Sequence, residues 1–279
     1  MRAKWTKSLG ALGVLVWASF LATDCRADFY GITNSTNQLI KIDEATGVGT
    51  LVGTLSNGMI ALDLAASGGN LYTFDQINDK VRQLDPTTGA TLATVDIGIL
   101  ATGEGGFAMR EDGTGFLSST VGATGTLWRF DITVPNSFQI TATNGFLPSM
   151  DGLAFDSAGV LFGLNQGASD GGNKLYTIDQ TTGTTTLVGA LGVGTSAIGG
   201  LAFAPDGTLY ATLSELNPTA AKLYTVNTSS GAATFVGNVG FNSVSGITFL
   251  TPVPEPESWM LILCGSAIVL MRARRKSLR

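Results

Sequence analysis

The chain repeats one motif five times, at intervals of 42, 46, 48 and 48 residues. Each copy is an apolar run, and the copies end at Asp43, Asp85, Asp131, Asp179 and Asn227. Four copies continue into a Thr-Gly or Ser-Gly turn and a β-rich run, whereas the third continues into Val134-Pro135-Asn136. A period of this length restricts the chain to repeat architectures, in which each unit buries its apolar face against its neighbours.

A second motif keeps the same period. It reads Gly-Leu-Ala-Phe at 152–155 and 200–203, with variants at 106–109 and 246–249 and a degenerate copy at 61–64. The two motifs together divide each unit into four short strands separated by Gly, Asp and Thr turns. This pattern predicts an all-β fold, a five-bladed β-propeller with four-stranded blades. A β-sandwich or a β-solenoid is the alternative.

The ends of the repeat array predict how the ring closes. The array opens at 29–32 with the second strand of a unit and finishes at 246–249 with a first strand. We therefore expect both ends to share one closing blade, which leaves no open sheet edge between the first and last units. The Asp or Asn after each third strand is expected to accept hydrogen bonds from its turn, and the turn glycines to adopt positive φ. The units are similar to blades of calcium-lactonase and NHL-type propellers, although those families usually have more blades.

The N-terminal end has the pattern of a secretory signal. Arg2, Lys4 and Lys7 precede an apolar segment at 9–21, and small residues lead to a predicted cleavage between Ala27 and Asp28. Residues 1–27 are thus predicted to be a cleaved signal helix. Two alternatives are a lipoprotein anchored at Cys25, although Asp24 departs from a lipobox, and an uncleaved N-terminal anchor.

The C-terminal end, residues 253–279, has three parts. Pro254-Glu255-Pro256 is followed by an apolar run at 259–271 and then by a cationic cluster that includes Arg272, Arg274, Arg275 and Lys276. Proline excludes helix around the first part, and the cationic cluster favours the cytoplasmic side. At about 1.5 Å per residue the apolar helix reaches only about 20 Å of an about 30 Å hydrocarbon core. An ordinary C-terminal membrane helix after a proline-rich linker is the alternative to a sorting signal.

This tail resembles the PEP-CTERM sorting signal of exopolysaccharide-producing, biofilm-forming Gram-negative bacteria. The resemblance covers about a tenth of the chain. It implies export by the Sec machinery, transient residence in the inner membrane through the C-terminal transmembrane helix, and recognition by an exosortase that removes the tail near Pro-Glu-Pro. The protein would then lie at the cell surface or in the extracellular matrix.

Composition excludes several classes of function. The chain has no histidine, which excludes Ser-His-Asp and Cys-His catalysis and His-ligated zinc. The predicted repeat domain, residues 28–252, has 7 basic and 18 acidic residues and neither cysteine. So acidic a surface repels nucleic acid. Carboxylate chemistry and calcium binding stay open, because Asp and Glu suffice for both.

The first strands predict where a ligand site would lie, since these strands line the channel of a propeller. The residues before the Gly-Leu-Ala-Phe motifs would face the channel mouth, and we expect Glu104, Asp151, Ser245, Gly199 and Ile60 there. Glu104 and Asp151 are weak candidates for calcium or polar sugar ligands, because Gly199 and Ile60 contribute none.

The predicted function is that of a non-enzymatic, exported protein of the cell envelope or exopolysaccharide matrix, with exopolysaccharide or matrix proteins as partners. No cofactor or catalytic residue is predicted. One alternative is a calcium-dependent, lactonase-like hydrolase that uses Glu104 and Asp151 at the channel mouth. The other is a membrane-anchored surface receptor that keeps its tail.

Overall fold

The computed structural model describes residues 27–98, 105–121, 124–134, 138–141, 149–165, 171–194, 198–214 and 220–251. These residues form twenty β-strands in five antiparallel sheets of four. None of the described segments forms a helix with the length and hydropathy of a membrane span. The signal helix and the C-terminal apolar helix expected from the sequence lie outside the described residues.

Each sheet is one blade of a five-bladed propeller, and the strands of a blade are named from the central axis outward. Blades 1 and 2 are β20 (Val244–Leu250), β1 (Asp28–Thr33), β2 (Gln38–Ile42), β3 (Gly49–Thr54), and β4 (Ala61–Ser67), β5 (Asn70–Asp75), β6 (Lys80–Leu84), β7 (Thr91–Val95). Blades 3 and 4 are β8 (Phe107–Met109), β9 (Thr114–Val121), β10 (Thr124–Asp131), β11 (Phe138–Thr141), and β12 (Met150–Phe155), β13 (Leu161–Asn165), β14 (Lys174–Ile178), β15 (Thr185–Ala190). Blade 5 is β16 (Ile198–Phe203), β17 (Leu209–Ser214), β18 (Lys222–Val226), β19 (Ala233–Asn238). The all-β, five-bladed prediction is confirmed.

The shared closing blade is confirmed as well. The last strand, β20, pairs with the first, β1, from Asp28 opposite Leu250 to Thr33 opposite Val244. The first and last strands of the described chain thus belong to one sheet. Their pairing joins the first and last units, so no unpaired strand edge is left between them.

The buried apolar core is divided among the blade junctions. Five clusters of buried side chains are found in the described part of the chain, and each contains residues of two neighbouring blades. The cluster between blades 5 and 1, for example, joins Tyr210 and Leu223 to Phe29 and Phe249. The core therefore holds the blades to one another, as expected for units that cannot bury an apolar face alone.

The turns after the third strands follow the predicted pattern. Asp43 accepts hydrogen bonds from the backbone of Ala45 and Thr46, and Asn227 accepts them from Ser229 and Ser230. The glycines that follow in blades 1, 2, 4 and 5 have positive φ: Gly47 77°, Gly89 75°, Gly183 72° and Gly231 75°. Only glycine adopts this conformation without steric cost, so the Thr-Gly and Ser-Gly pairs mark one turn geometry.

The strand directions define two faces of the ring. Every inner strand begins at the top face and ends at the bottom face. The bottom face carries the turns between strands 1 and 2 and between strands 3 and 4 of each blade. The top face carries the connections between strands 2 and 3 and between blades. Because β1 begins and β20 ends at the bottom face, both ends of the described chain lie there.

Candidate functional site: the central channel and its mouths

The five inner strands approach one another most closely at one layer of the channel. Four blades contribute a glycine to this layer, and blade 2 contributes Asp63; the glycines are Gly106, Gly152, Gly200 and Gly246. A Cβ on Gly246 would lie 2.3 Å from the Leu64 nitrogen, and one on Gly106 would lie 2.7 Å from the Gly152 carbonyl carbon. Backbone thus meets backbone at four of the five positions, and Asp63 supplies the one side chain of the layer.

The Asp63 carboxylate is fully buried and spans three blades. Its Oδ1 accepts a hydrogen bond from the Leu64 N–H of its own strand at 2.8 Å. Its Oδ2 accepts from the Phe107 N–H of blade 3 at 2.9 Å and from the Leu153 N–H of blade 4 at 3.3 Å. Burial raises the pKa of Asp63 well above its usual value, and the N–H donors of Phe107, Leu64 and Leu153 oppose that rise.

The top mouth of the channel lies directly above this layer. It is a space of about 20 Å³, and every blade contributes to its lining through Leu62, Gly105, Asp151, Gly199 and Ser245, with Asn34 and Ile198 beside them. Asp151 is 6% exposed, and the Ser245 hydroxyl donates to the Ala61 carbonyl at 3.3 Å. The space is smaller than a typical small-molecule site.

This ring confirms three of the expected mouth positions and corrects the register of the others. Asp151, Gly199 and Ser245 line the mouth as expected. Leu62 takes the place expected for Ile60, because the degenerate copy in blade 2 aligns with the glycine layer at Asp63 rather than at Ala61. Gly105 takes the place in blade 3, and Glu104 lies outside the described residues.

The described residues that line the top mouth form a poor calcium site. It contains one carboxylate, whereas calcium takes six to eight oxygen ligands. No group of three or more Asp, Glu, His or Cys side chains in the described ranges is placed to hold a metal ion. The pair Glu104 and Asp151 therefore stays an untested prediction.

Below the Asp63 layer the channel opens into a bottom cavity of about 150 Å³. The inner-strand triplets that begin at Leu64, Phe107, Leu153, Leu201 and Ile247 line it, and Glu111 is the one titratable side chain among its described lining residues. Asp63 thus separates the top mouth from the bottom cavity. Sequence reasoning overlooked Asp63 because the degenerate copy in blade 2 was aligned two residues out of register.

The two faces of the ring differ in charge. Ten acidic residues lie in or beside the bottom-face turns: Asp28, Asp43, Glu44, Asp85, Glu111, Asp112, Asp131, Asp156, Asp179 and Asp206. The described basic residues on that side are Lys41, Arg110 and Arg129. In the top half, the described residues outside the axial layer include four acidic and four basic side chains: Asp75, Asp79, Asp96, Asp151, Lys80, Arg82, Lys174 and Lys222.

Hydrogen bonds within the turns lower the pKa of five bottom-face carboxyl groups, those of Asp85, Asp112, Asp131, Asp179 and Asp206. Hydrogen bonds from Thr87, chiefly from its hydroxyl, lower the pKa of Asp85, and the Thr208 N–H lowers the pKa of Asp206. The bottom face is therefore negative even in mildly acidic water.

At the top face, one buried carboxylate is held by an ion pair with a partly exposed arginine. Asp75 is fully buried, and its Oδ2 accepts from the Arg82 Nη2 at 2.8 Å and Nε at 3.1 Å and from the Asn78 amide at 2.7 Å. A guanidinium that donates twice and an amide satisfy this carboxylate, so it is part of the framework rather than a ligand site.

Comparison with known proteins gives a fold. No protein-family model matches the chain, and no curated protein matches it by sequence. A protein of unknown function from Bacteroides caccae superimposes with a TM-score of 0.52 at 12% identity, over 81% of this chain and 99% of that chain. A chain of a nidogen/laminin complex superimposes with a TM-score of 0.51 at 13% identity, over 80% and 81%. At such identities the likeness shows the fold alone.

Proposed function

We propose that this chain is an exported, non-enzymatic β-propeller, sorted through its C-terminal tail to the cell envelope or exopolysaccharide matrix, where its top face binds a glycan or another protein. The proposal combines the Pro254-Glu255-Pro256 tail, which resembles a sorting signal, with the geometry of the propeller. One similar structure is a complex of two proteins, nidogen and laminin, which is consistent with a binding role.

The position of the chain ends carries the proposal. Asp28 pairs with Leu250 at the bottom face, so the tail that follows leaves from that side. A propeller attached through this tail, briefly or permanently, has its top face directed away from the attachment.

The top face has the features of a binding surface. It carries the longest connections, with 11 residues between β7 and β8 and 8 between β13 and β14. Long loops on a rigid scaffold are where binding residues concentrate. Two apolar side chains, Ile77 at 56% exposure and Ile60 at 36%, are exposed there. The balance of charge among the described top-face residues imposes no strong repulsion on an anionic or a neutral partner.

Mature termini are the first test. The intact mass of the protein isolated from its own host should match a chain that begins near Asp28 and ends near Pro254. A species that keeps Trp259–Arg279 would contradict removal of the tail and support a membrane-anchored receptor. A species that keeps residues 1–27 would contradict cleavage of the signal.

Binding by the top face is tested with a matched pair of variants. Ile77→Glu changes an exposed side chain of the top face, and Val48→Glu changes a 54% exposed side chain of the bottom face. The host's matrix polysaccharide and matrix proteins would be immobilised separately as probes. Only Ile77→Glu should weaken binding, by about tenfold, because a desolvated charge in an interface costs at least about 1.4 kcal/mol. An effect of Val48→Glu alone, or no binding of the wild-type chain to either probe, would contradict the proposal.

A further inference from the structure

Asp63 stands where the other four blades have glycine. Its neighbours in the strand line the top mouth (Leu62) and the bottom cavity (Leu64), and its side chain reaches across the channel to blades 3 and 4. Its backbone carbonyl accepts the Thr73 hydroxyl at 2.7 Å, which fixes the inner strand of blade 2 to the next strand outward. A glycine at this place would fit the same layer, so the fold itself does not require a carboxylate here.

The hydrogen bonds of Asp63 connect blades 2, 3 and 4 at this layer. One oxygen accepts from Phe107 of blade 3 and Leu153 of blade 4, at 2.9 and 3.3 Å. Since the channel-facing N–H groups of inner strands have no strand partner on that side, an acceptor on the axis satisfies several of them at once.

We propose that Asp63 is a pH-sensitive closure of the axial channel. Its side chain blocks the axis and holds the inner strands of blades 2, 3 and 4 together, and its protonation state sets how stable the closed ring is. This role is independent of the proposed function, since it concerns the stability of the ring and not its partner.

No basic side chain of the inner strands compensates the Asp63 carboxylate. The five inner strands, all described, carry one other titratable residue, Asp151 of β12 at the top mouth. Glu111 faces the bottom cavity from the turn after β8. Ionisation of Asp63 thus places a negative charge on a buried axis whose charged neighbours are themselves acidic, with backbone N–H groups as its stabilising partners.

Stability should fall as the pH rises through the titration of Asp63. Because burial raises the pKa of Asp63 in the folded protein, the folded state retains a proton that the unfolded state releases at the ordinary carboxyl pKa of about 3.9. The stability that this proton contributes is complete below the unfolded pKa and is lost as the pH rises through the folded pKa. The turn carboxylates with lowered pKa have the opposite effect and act at lower pH.

Two variants of the full chain test this proposal by urea unfolding at about pH 5 and about pH 8. The wild-type midpoint should be lower at the higher pH. In Asp63→Asn and in Asp63→Gly, which reproduces the residue of the other blades, the midpoint should fall by less than about half as much as in the wild type. Asp206→Asn, which removes an exposed carboxylate from a bottom-face turn, should keep the wild-type fall.

Hydrogen exchange provides the second measurement, and its central comparison uses the wild-type chain alone. After correction for intrinsic rates, the Phe107 and Leu153 amides should exchange faster at about pH 8 than at about pH 5. In Asp63→Gly both amides should lose protection. In urea unfolding, the proposal would be overturned by a wild-type midpoint that is constant or rises with pH, or by an unchanged fall in both variants. In hydrogen exchange, it would be overturned if the protection of Phe107 and Leu153 did not depend on Asp63 and pH.

Discussion

At the scale of single residues, aspartate accepts backbone hydrogen bonds in two environments of this propeller, and its pKa shifts in opposite directions in the two. Asp179 lies in an exposed turn and accepts N–H donors there, whereas Asp63 is fully buried at the axis and accepts N–H donors from three blades. The donors lower the pKa of Asp179, and burial raises the pKa of Asp63 in spite of its donors. Solvent access therefore decides the sign of the pKa shift.

A pair of variants at Asp179 tests the role of the turn residues. Asp179→Ala removes the acceptor of the Thr181 and Thr182 N–H groups, and thermal unfolding should begin about 2–4 °C lower. Asp179→Asn should fold like the wild type, because Asn227 performs the same role in blade 5. Thr182 and Thr181 lower the pKa of Asp179, so its contribution is present above the usual carboxyl pKa and is lost as the pH falls through the folded value.

The loss of this stabilisation in acid shows how the prediction for Asp179 could be contradicted. Thermal scans on both sides of the usual carboxyl pKa, about 3.9, should show a smaller loss on acidification in Asp179→Asn than in the wild type. Equal losses, or an equal destabilisation by Asn and Ala, would show that the Asp179 carboxylate is not what stabilises the turn.

At the scale of elements, the outermost strand of one blade is fitted to a turn of the next. A Cβ on Gly53 would lie 1.9 Å from the Thr88 carbonyl oxygen, and one on Gly237 would lie 1.8 Å from that of Thr46. These glycines lie beside a β-bulge in the outer strands of blades 1 and 5. The bulge and the covering turn also shield part of each outer edge, which reduces the risk of pairing with another chain.

Blade 4 offers the clearest test of this contact. A Cβ on Gly189 would lie 2.0 Å from the Ser230 carbonyl oxygen of blade 5, so Gly189→Ala should force the turn away and destabilise the chain by about 1–3 kcal/mol in urea unfolding. Thr186→Ala, on the exposed face of the same strand, should change stability by less than about 0.5 kcal/mol. If the two variants lost similar free energy of unfolding, the turn at Ser230 would have moved away from the new Cβ without destabilising the chain.

At the scale of the whole molecule, the closing blade joins the two ends of the propeller. The Phe29 ring of the first strand stacks on the Phe249 ring of the last, with centroids 4.2 Å apart and planes at 3°. The Tyr210 ring of blade 5 lies 5.7 Å from the Phe249 ring, centroid to centroid. One aromatic cluster thus connects the first strand, the last strand and the neighbouring blade.

Removing one ring from this cluster should open the closure. Phe249→Ala should cost about 3–5 kcal/mol in urea unfolding, because the ring is buried and its neighbours belong to strands that cannot collapse together without breaking the sheet. Phe235→Ala removes a 53% exposed ring on the outer strand of blade 5 and should cost less than about 1.5 kcal/mol. A small effect of Phe249→Ala would show that strand pairing alone closes the ring.

The sequence determined the parts of this fold that repeat. The period of 42 to 48 residues, the Asp or Asn before each turn and the order of first and second strands at the two ends predicted five four-stranded blades and their closure, because each feature reflects a local requirement met in blade after blade. The signal and the sorting tail, which concern residues outside the described ranges, stay predictions.

Tertiary structure alone decided what happens at the axis. In the degenerate copy at 61–64, the apolar pattern fits two registers, and only pairing with the neighbouring strand shows that Asp63, not Ala61, lies in the glycine layer. That position brings together N–H groups 44 and 90 residues away from Asp63 along the chain. A local pattern holds no record of such distant partners, since they meet only when five blades close around one axis.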